Sequence, residues 1–321
     1  MAAMKKSLAL AAFASVALAS PLPSSLDVSS KLQNVLENTN GGPAYNYPTD
    51  FTRGIVPKKI HSHNDYWRDV PFYTALSAGA ISVEADVWLV NGSLYVGHEE
   101  SALTTERTFN SLYVAPILDT IKRQNPTTPF ISGSSTKNGV FDTSSGQTLY
   151  LFVDIKTDGE AAWPVVVEQL QPLRDAGYLT TYNGSAVTTG PVTVIGTGNT
   201  PLDQIQGVSP RDYFFDANLA SLNDTQADLD YTVSPIASTQ FSRYIGSING
   251  TTFSDEQLAT VREYLSLATS RGIGARFWDT PAWPITKRNA VWSTLLEEGV
   301  ALLNADNLYD AAGFGGVNGY W

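Results

Sequence analysis

Three pairs of chemically active residues recur along the chain at a spacing of two: His61 with His63, Glu84 with Asp86, and Asp154 with Lys156. Residues two apart on an extended strand point to the same face, so each pair offers both side chains to the same surroundings. Glu84 and Asp86 lie in Ile81-Ser82-Val83-Glu84-Ala85-Asp86-Val87-Trp88, and Asp154 lies in Leu151-Phe152-Val153-Asp154-Ile155-Lys156. Both stretches are otherwise mostly apolar, and burying such carboxylates unpaired costs on the order of several kcal/mol. A bound divalent cation offsets that cost, and for Asp154 a buried ion pair with Lys156 is the plainer alternative. Three carboxylates in a chain without cysteine favour a hard, oxygen-preferring ion, Mg²⁺ or Ca²⁺, over zinc. His98 follows Leu94-Tyr95-Val96-Gly97, so all three histidines of the chain fall within 38 positions. Clustered imidazoles beside carboxylates suit general acid–base catalysis.

The elements that must position these residues read as βα units. Candidate strands are Lys58–His63, Ser82–Val90, Tyr150–Lys156, Val192–Gly196, Tyr213–Asp216, Gly274–Asp279 and Val300–Asn304, with 94–97 as a hairpin partner or continuation of the second. Most are continuous apolar runs, the pattern of strands buried on both faces. Amphipathic segments at Pro71–Ala78, Glu106–Arg123, Ala161–Ala176, Asp255–Arg271 and Thr286–Glu298 separate them, and Ser254-x-x-Gln257 is a capping box. The alternation predicts an α/β fold, specifically a (β/α)8 TIM barrel over about 53–321, in which residues at strand C-termini converge on one mouth. No glycine-rich turn follows the first strand to support a dinucleotide-binding sheet.

With 43% hydrophobic and 16% charged residues, the chain of 321 has the composition of a globular protein. The absence of cysteine excludes disulfides, thiolate metal sites and a cysteine nucleophile. Lys5 and Lys6, the apolar run 7–19 and Ala17-Leu18-Ala19 have the form of a signal peptide, and 13 apolar residues are too few to span a bilayer. The reading is therefore a signal peptide at 1–19, a propeptide or surface arm at 20–52 with a short helical pattern around Leu32 to Leu36, and the barrel. Removing 1–19 takes two lysines and no acid from a chain already at −11. Such a charge opposes binding to nucleic acid. Four Asn-x-Ser/Thr sequons, at Asn91, Asn183, Asn223 and Asn249, fit a secreted glycoprotein. A monomer without a transmembrane segment is expected.

Taken together, His61-Ser62-His63-Asn64-Asp65-Tyr66, Val83-Glu84-Ala85-Asp86-Val87, Gly97-His98-Glu99 and Val153-Asp154-Ile155-Lys156-Thr157 resemble the phospholipase-C-like phosphodiesterase superfamily. That group includes glycerophosphodiester phosphodiesterases and sphingomyelinase D enzymes. The run from His61 to Glu99 most resembles fungal members related to altered inheritance of mitochondria protein 6. The resemblance implies a TIM barrel, with Glu84, Asp86 and Asp154 as metal ligands, Lys156 as the active-site lysine and His98 as one catalytic histidine. For the other histidine, the His-x-x-Asn pattern selects His61, paired with Asn64, while His63 is the alternative. Trp278 is similar to an aromatic that lines the sphingomyelinase D site, and with Arg276 and Asn64 it is expected to contact substrate. His-Ser-His stands where the glycerophosphodiesterases have His-Arg-Gly, and the cysteines of sphingomyelinase D are absent.

The expected function is a secreted, Mg²⁺-dependent (Ca²⁺ as the alternative) phosphodiesterase acting on a glycerophosphodiester or a phospholipid headgroup. One histidine would take a proton from water or a neighbouring substrate hydroxyl, the latter giving a cyclic phosphate, and the other would protonate the leaving oxygen. His61-x-His63 also suits a metal-dependent amidohydrolase barrel. Paired carboxylates suit a glycoside hydrolase, and a non-catalytic lipid- or carbohydrate-binding barrel is a further alternative.

Overall fold

In the computed structural model, which describes residues 28–39, 41–131 and 137–321, the apolar runs of the sequence become the staves of a closed barrel. The expected signal peptide at 1–19 lies outside the described residues. The described residues up to Tyr47 form one unit and Pro48–Trp321 another. In the first, a helix at Ser30–Thr39 covers the pattern around Leu32 to Leu36.

The barrel strands are β1 (Lys58–Ser62), β2 (Ala80–Val90), β3 (Leu149–Ile155), β4 (Val192–Gly198), β5 (Phe214–Asn218), β6 (Ile236–Gln240), β7 (Gly274–Trp278) and β8 (Leu302–Ala305). Each pairs in parallel with its successor, and β8 pairs with β1 to close the ring. This is the eight-stranded TIM barrel. Seven of the strands coincide with the candidate runs. β6 does not, because Ile236-Ala237-Ser238-Thr239-Gln240 is short and mostly small or polar. One of its polar residues has a structural role: Ser238 lies beside Arg276 of β7 in register, and its hydroxyl accepts a hydrogen bond from Arg276 Nε at 2.8 Å.

β2 is buried from Ala80 through Val87, then runs beyond the barrel rim and folds back as an antiparallel strand at Ser93–Val96. Asn91 and Gly92 make the two-residue turn, with φ of 49° and 81°. Positive φ at both central positions is the geometry of a type I′ hairpin, which Asn-Gly favours. The return strand delivers His98 back to the barrel mouth.

Outer helices follow the expected order, with one break at a proline. The segment 106–123 is helical from Phe109, running as a π-helix over Asn110–Val114 into an α-helix at Ala115–Gln124 with Pro116 in its first turn. The segment 161–176 becomes Gly159–Gln169 and Gln171–Asp175, with Pro172 opening the second piece. Pro172 has no N–H to continue the preceding helix, so a new one starts there, whereas Pro164 is accommodated inside the first piece. Helix Asp255–Ser270 carries the foreseen reciprocal cap between Ser254 and Gln257. An unforeseen helix, Leu308–Val317, follows β8, capped by Asn307. Its three glycines depress its helical propensity. Among the described residues no helix is long and apolar enough to cross a membrane.

Ser254→Ala should remove one side of the cap and cost about 1 kcal/mol of stability. Urea unfolding should show a lower midpoint with an unchanged slope, and substrate turnover should not change because the helix lies outside the barrel wall. An unchanged midpoint would show that the cap adds nothing.

Candidate active site

The parallel register brings the charged pairs together. Asp86 of β2 lies beside Asp154 of β3, and Asp154 beside Thr197 of β4. Oxygens of Glu84, Asp86 and Asp154 lie within 4.8 Å of one another. Lys156 Nζ donates to Asp154 Oδ2 at 2.8 Å and to Asp86 Oδ2 at 3.0 Å, so the expected ion pair and the carboxylate cluster exist together. Asp86 Oδ1 is buried with no hydrogen-bond partner. Three oxygen donors, one of them orphaned, fit a hard divalent cation better than they fit an all-protein network. Gly198 makes room for this cluster: its φ is +65°, and a Cβ there would overlap Asp154 Oδ1.

Burial and mutual repulsion set the protonation of these groups. Burial, then the charges of Glu84 and Asp154, push Asp86 up to about 7 against the pull of Lys156 and Tyr66. Asp154 is raised chiefly by burial. Burial also works to raise Glu84, but its contacts with His61, His63 and Arg276 outweigh that and hold it below the ordinary carboxylate range. Burial works to lower Lys156, and the two aspartates outweigh it, so the net shift is upward.

The histidines divide by position. His61 is fully buried, edge-on to Phe152, with Nδ1 hydrogen-bonded to Ser82 Oγ at 2.7 Å and Nε2 unpartnered 3.8 Å from Glu84. Burial and then Arg276 push its pKa down to about 3, so it is neutral. It lies beneath Glu84 and does not line the cavity at the mouth. His63 does line it, with Nδ1–H donating to Asp306 Oδ1 at 2.7 Å and Nε2 3.8 Å from Glu84. Burial lowers the His63 pKa, but the Asp306 hydrogen bond and the Glu84 charge outweigh it, for a net rise. His98 is half exposed on the cavity wall, with Nδ1 at 2.9 Å from the Tyr66 hydroxyl and 3.4 Å from Asp86.

The cavity occupies about 880 Å³ over these groups. Asn64, Arg276 and Trp278 line it as well. Asn64 sits at φ 50°, and its backbone N–H donates to Glu84 Oε2 at 2.9 Å. Arg276 is buried between Glu84 and Asp216, at 4.0 and 3.6 Å, and donates to Asn304 Oδ1 at 3.0 Å. The sequence reading missed Asp306, Tyr66 and Asp216. Asp306 follows Asn304 at the same spacing of two, and Asp216 ends a foreseen strand, so the pattern that found the other pairs extends to both. Tyr66 carries no such mark.

A fixed loop presents His63 and Asn64. Asp65, fully buried, accepts from Ser62 Oγ and the Phe72 N–H, each at 2.6 Å, and Arg68 donates to the carbonyls of His63, Ala305 and Asp306.

A TIM barrel whose mouth holds three clustered carboxylates, a lysine and two cavity-facing histidines has the architecture of a phosphodiesterase barrel. Residues 49–216 match the AIM6-like phosphodiesterase domain, and the chain belongs to that family. It is 53% identical over 307 residues to an altered inheritance of mitochondria protein 6 homolog of Arthroderma benhamiae, covering 92% of this chain and 96% of that one. It is 33% identical over 290 residues to altered inheritance of mitochondria protein 6 of Eremothecium gossypii, covering 84% and 72%. Among solved structures, a glycerophosphoryl diester phosphodiesterase from Parabacteroides distasonis aligns with a TM-score of 0.43 at 11% identity, covering 83% of this chain and 88% of that one.

In the folded chain without metal, burial and the neighbouring carboxylates push Asp86 up to about 7 from its ordinary 3.8. The folded state therefore binds more protons across that window, and this contribution to stability, present in full below the lower value, is lost as pH rises to the upper one. In EDTA the urea midpoint of Asp86→Asn should fall less between those two pH values than that of wild type. Parallel curves for the two proteins would show that Asp86 ionises freely.

Proposed function

We propose that this protein is a secreted, Mg²⁺-dependent phosphodiesterase that cleaves a glycerophosphodiester or a phospholipid headgroup, with His63 and His98 as its acid–base pair. The observation that carries the reading is the convergence of Glu84, Asp86, Asp154 and Lys156 with two imidazoles on the wall of one cavity. Among the described residues the candidate ligand cluster is all carboxylate, which disfavours the amidohydrolase alternative and its histidine ligands.

Glu84, Asp86 and Asp154 would hold the cation, and the chemistry it supplies when bound is neutralisation of charge building on the phosphoryl oxygens. Lys156 adds a second positive group on the same side, and Arg276 a third from below. Asp306 accepts from His63 Nδ1–H and stabilises the imidazolium, which suits His63 to protonate the leaving oxygen through Nε2. His98, exposed on the opposite side of the carboxylate cluster, takes the proton from the attacking hydroxyl. Asn64 and Trp278 form the adjoining wall. His61, neutral and buried, supports Glu84 from beneath instead of meeting substrate. The four sequon asparagines, Asn91, Asn183, Asn223 and Asn249, are all exposed, which supports passage through a secretory pathway.

Phosphorus NMR of the protein with lysophosphatidylcholine, sphingomyelin and glycerophosphocholine should show a new phosphate resonance that EDTA abolishes and Mg²⁺ restores. A cyclic phosphate resonance would identify attack by a substrate hydroxyl. His63→Asn and His98→Asn should each lower kcat by roughly 10²–10⁴-fold with Mg²⁺ affinity near wild type, while His61→Asn acts mainly on stability. Full activity in EDTA, or turnover that survives in both cavity-histidine variants, would overturn the assignment.

Secretion has its own measurement. Mass spectrometry of culture supernatant should find a mature chain beginning near Ser20, with sugar on at least one of the four sequons. An intact Met1, or protein retained in the cell, would contradict it.

A further inference from the structure

The Tyr66 side chain is buried, and its hydroxyl meets three polar groups at once: Asp86 Oδ2 at 2.7 Å, His98 Nδ1 at 2.9 Å and Asn64 Oδ1. A phenol has a single proton to give. With Asp86 ionised, two of its neighbours are oxygens that can only accept, and one of these belongs to a carboxylate, the stronger acceptor for an O–H donor. Whichever oxygen takes the proton, none is left for His98, so the imidazole must donate through Nδ1–H. The opposite arrangement would set a bare Nδ1 lone pair 3.4 Å from Asp86 Oδ2, and the Tyr66 oxygen against two further acceptors.

We propose that Tyr66 is a positioning residue: its hydroxyl, clamped between a metal-site carboxylate and His98, fixes that histidine as the Nδ1–H tautomer and leaves Nε2 alone to exchange protons with substrate. Half of the His98 side chain is exposed, and the aromatic neighbours Tyr66 and Trp67, at 6.4 and 5.1 Å between ring centroids, limit its tilt without selecting a tautomer. The hydrogen bond to Tyr66 supplies that selection, as partners of functional histidines commonly do. The same hydroxyl and Lys156 both occupy Asp86 Oδ2, leaving Oδ1 as the oxygen without a partner. One phenol thus orients a metal-site oxygen and a proton-transfer group together. The inference rests on the two-histidine reading of the site for its catalytic meaning, and on geometry alone for the tautomer.

The test is a long-range proton–nitrogen correlation spectrum of the histidine rings in the nitrogen-labelled full chain without substrate, in alkaline buffer, with His98 assigned by loss of its signals in His98→Asn. Wild type should show the Nδ1–H pattern for His98. In Tyr66→Phe, which keeps the ring and its packing, the pattern should shift toward Nε2–H or a mixture. In the same variant kcat should fall by about 10–100-fold, the usual cost of removing a partner of a metal-site residue, with KM little changed. A wild-type His98 in the Nε2–H form, or a tautomer identical in both proteins, would overturn the proposal. The wild-type spectrum decides even where Tyr66→Phe does not fold. It also decides where no phosphodiester is turned over, so failure of the functional reading stays distinct from failure of this one.

Discussion

Three carboxylates share a space less than 5 Å across at the rim of a barrel whose walls are apolar, and the organisation of the site answers that repulsion. Glu84 is met by Arg276 and two histidines, Asp86 by Tyr66 and Lys156, and Asp154 by Lys156. The compensation is incomplete, since Asp86 stays displaced upward and one of its oxygens lacks any partner. A bound cation would satisfy both the crowded charge and the orphaned oxygen.

The scaffold holds these groups in fixed positions. Glu84 and Asp86 are on the longest barrel strand, buried along both faces, and Tyr113 donates to the Glu84 carbonyl at 3.0 Å from outside the wall. His98 is tied to the same strand: Gly97 N–H donates to the Asp86 carbonyl at 3.2 Å and Trp88 Nε1 to the Gly97 carbonyl at 2.7 Å. Arg68 joins the β1 loop to the end of β8, which places Asp306 against His63. Each reactive side chain thus stands on a strand end or on a loop bonded to one, as precise proton transfer requires.

How much of this could be read from the chain depends on the range of the interaction. Continuous apolar runs gave away seven of eight strands, and the spacing of two placed Glu84, Asp86, Asp154 and Lys156 on inward faces, because strand periodicity is local and survives in one dimension. β6 escaped because its run is short and mostly small or polar, with Ser238 answering Arg276, a neighbour in space 38 positions away. The break near Pro172 was legible in principle, since a missing N–H acts within one turn.

By itself the sequence determined the barrel class, the carboxylate cluster and the restriction of imidazole chemistry to three positions. Its His-x-x-Asn pattern pointed to His61 with His63 as the alternative, but it could not show that His61 lies near the end of β1 inside the barrel while His63 stands on the loop that follows. Tertiary structure separates the two positions: one ring is sealed beneath Glu84 against Phe152, while the other reaches the cavity and finds Asp306, 243 residues further on. Closing the barrel brings the last strand beside the first, and no periodicity within either strand records which side chain will stand opposite.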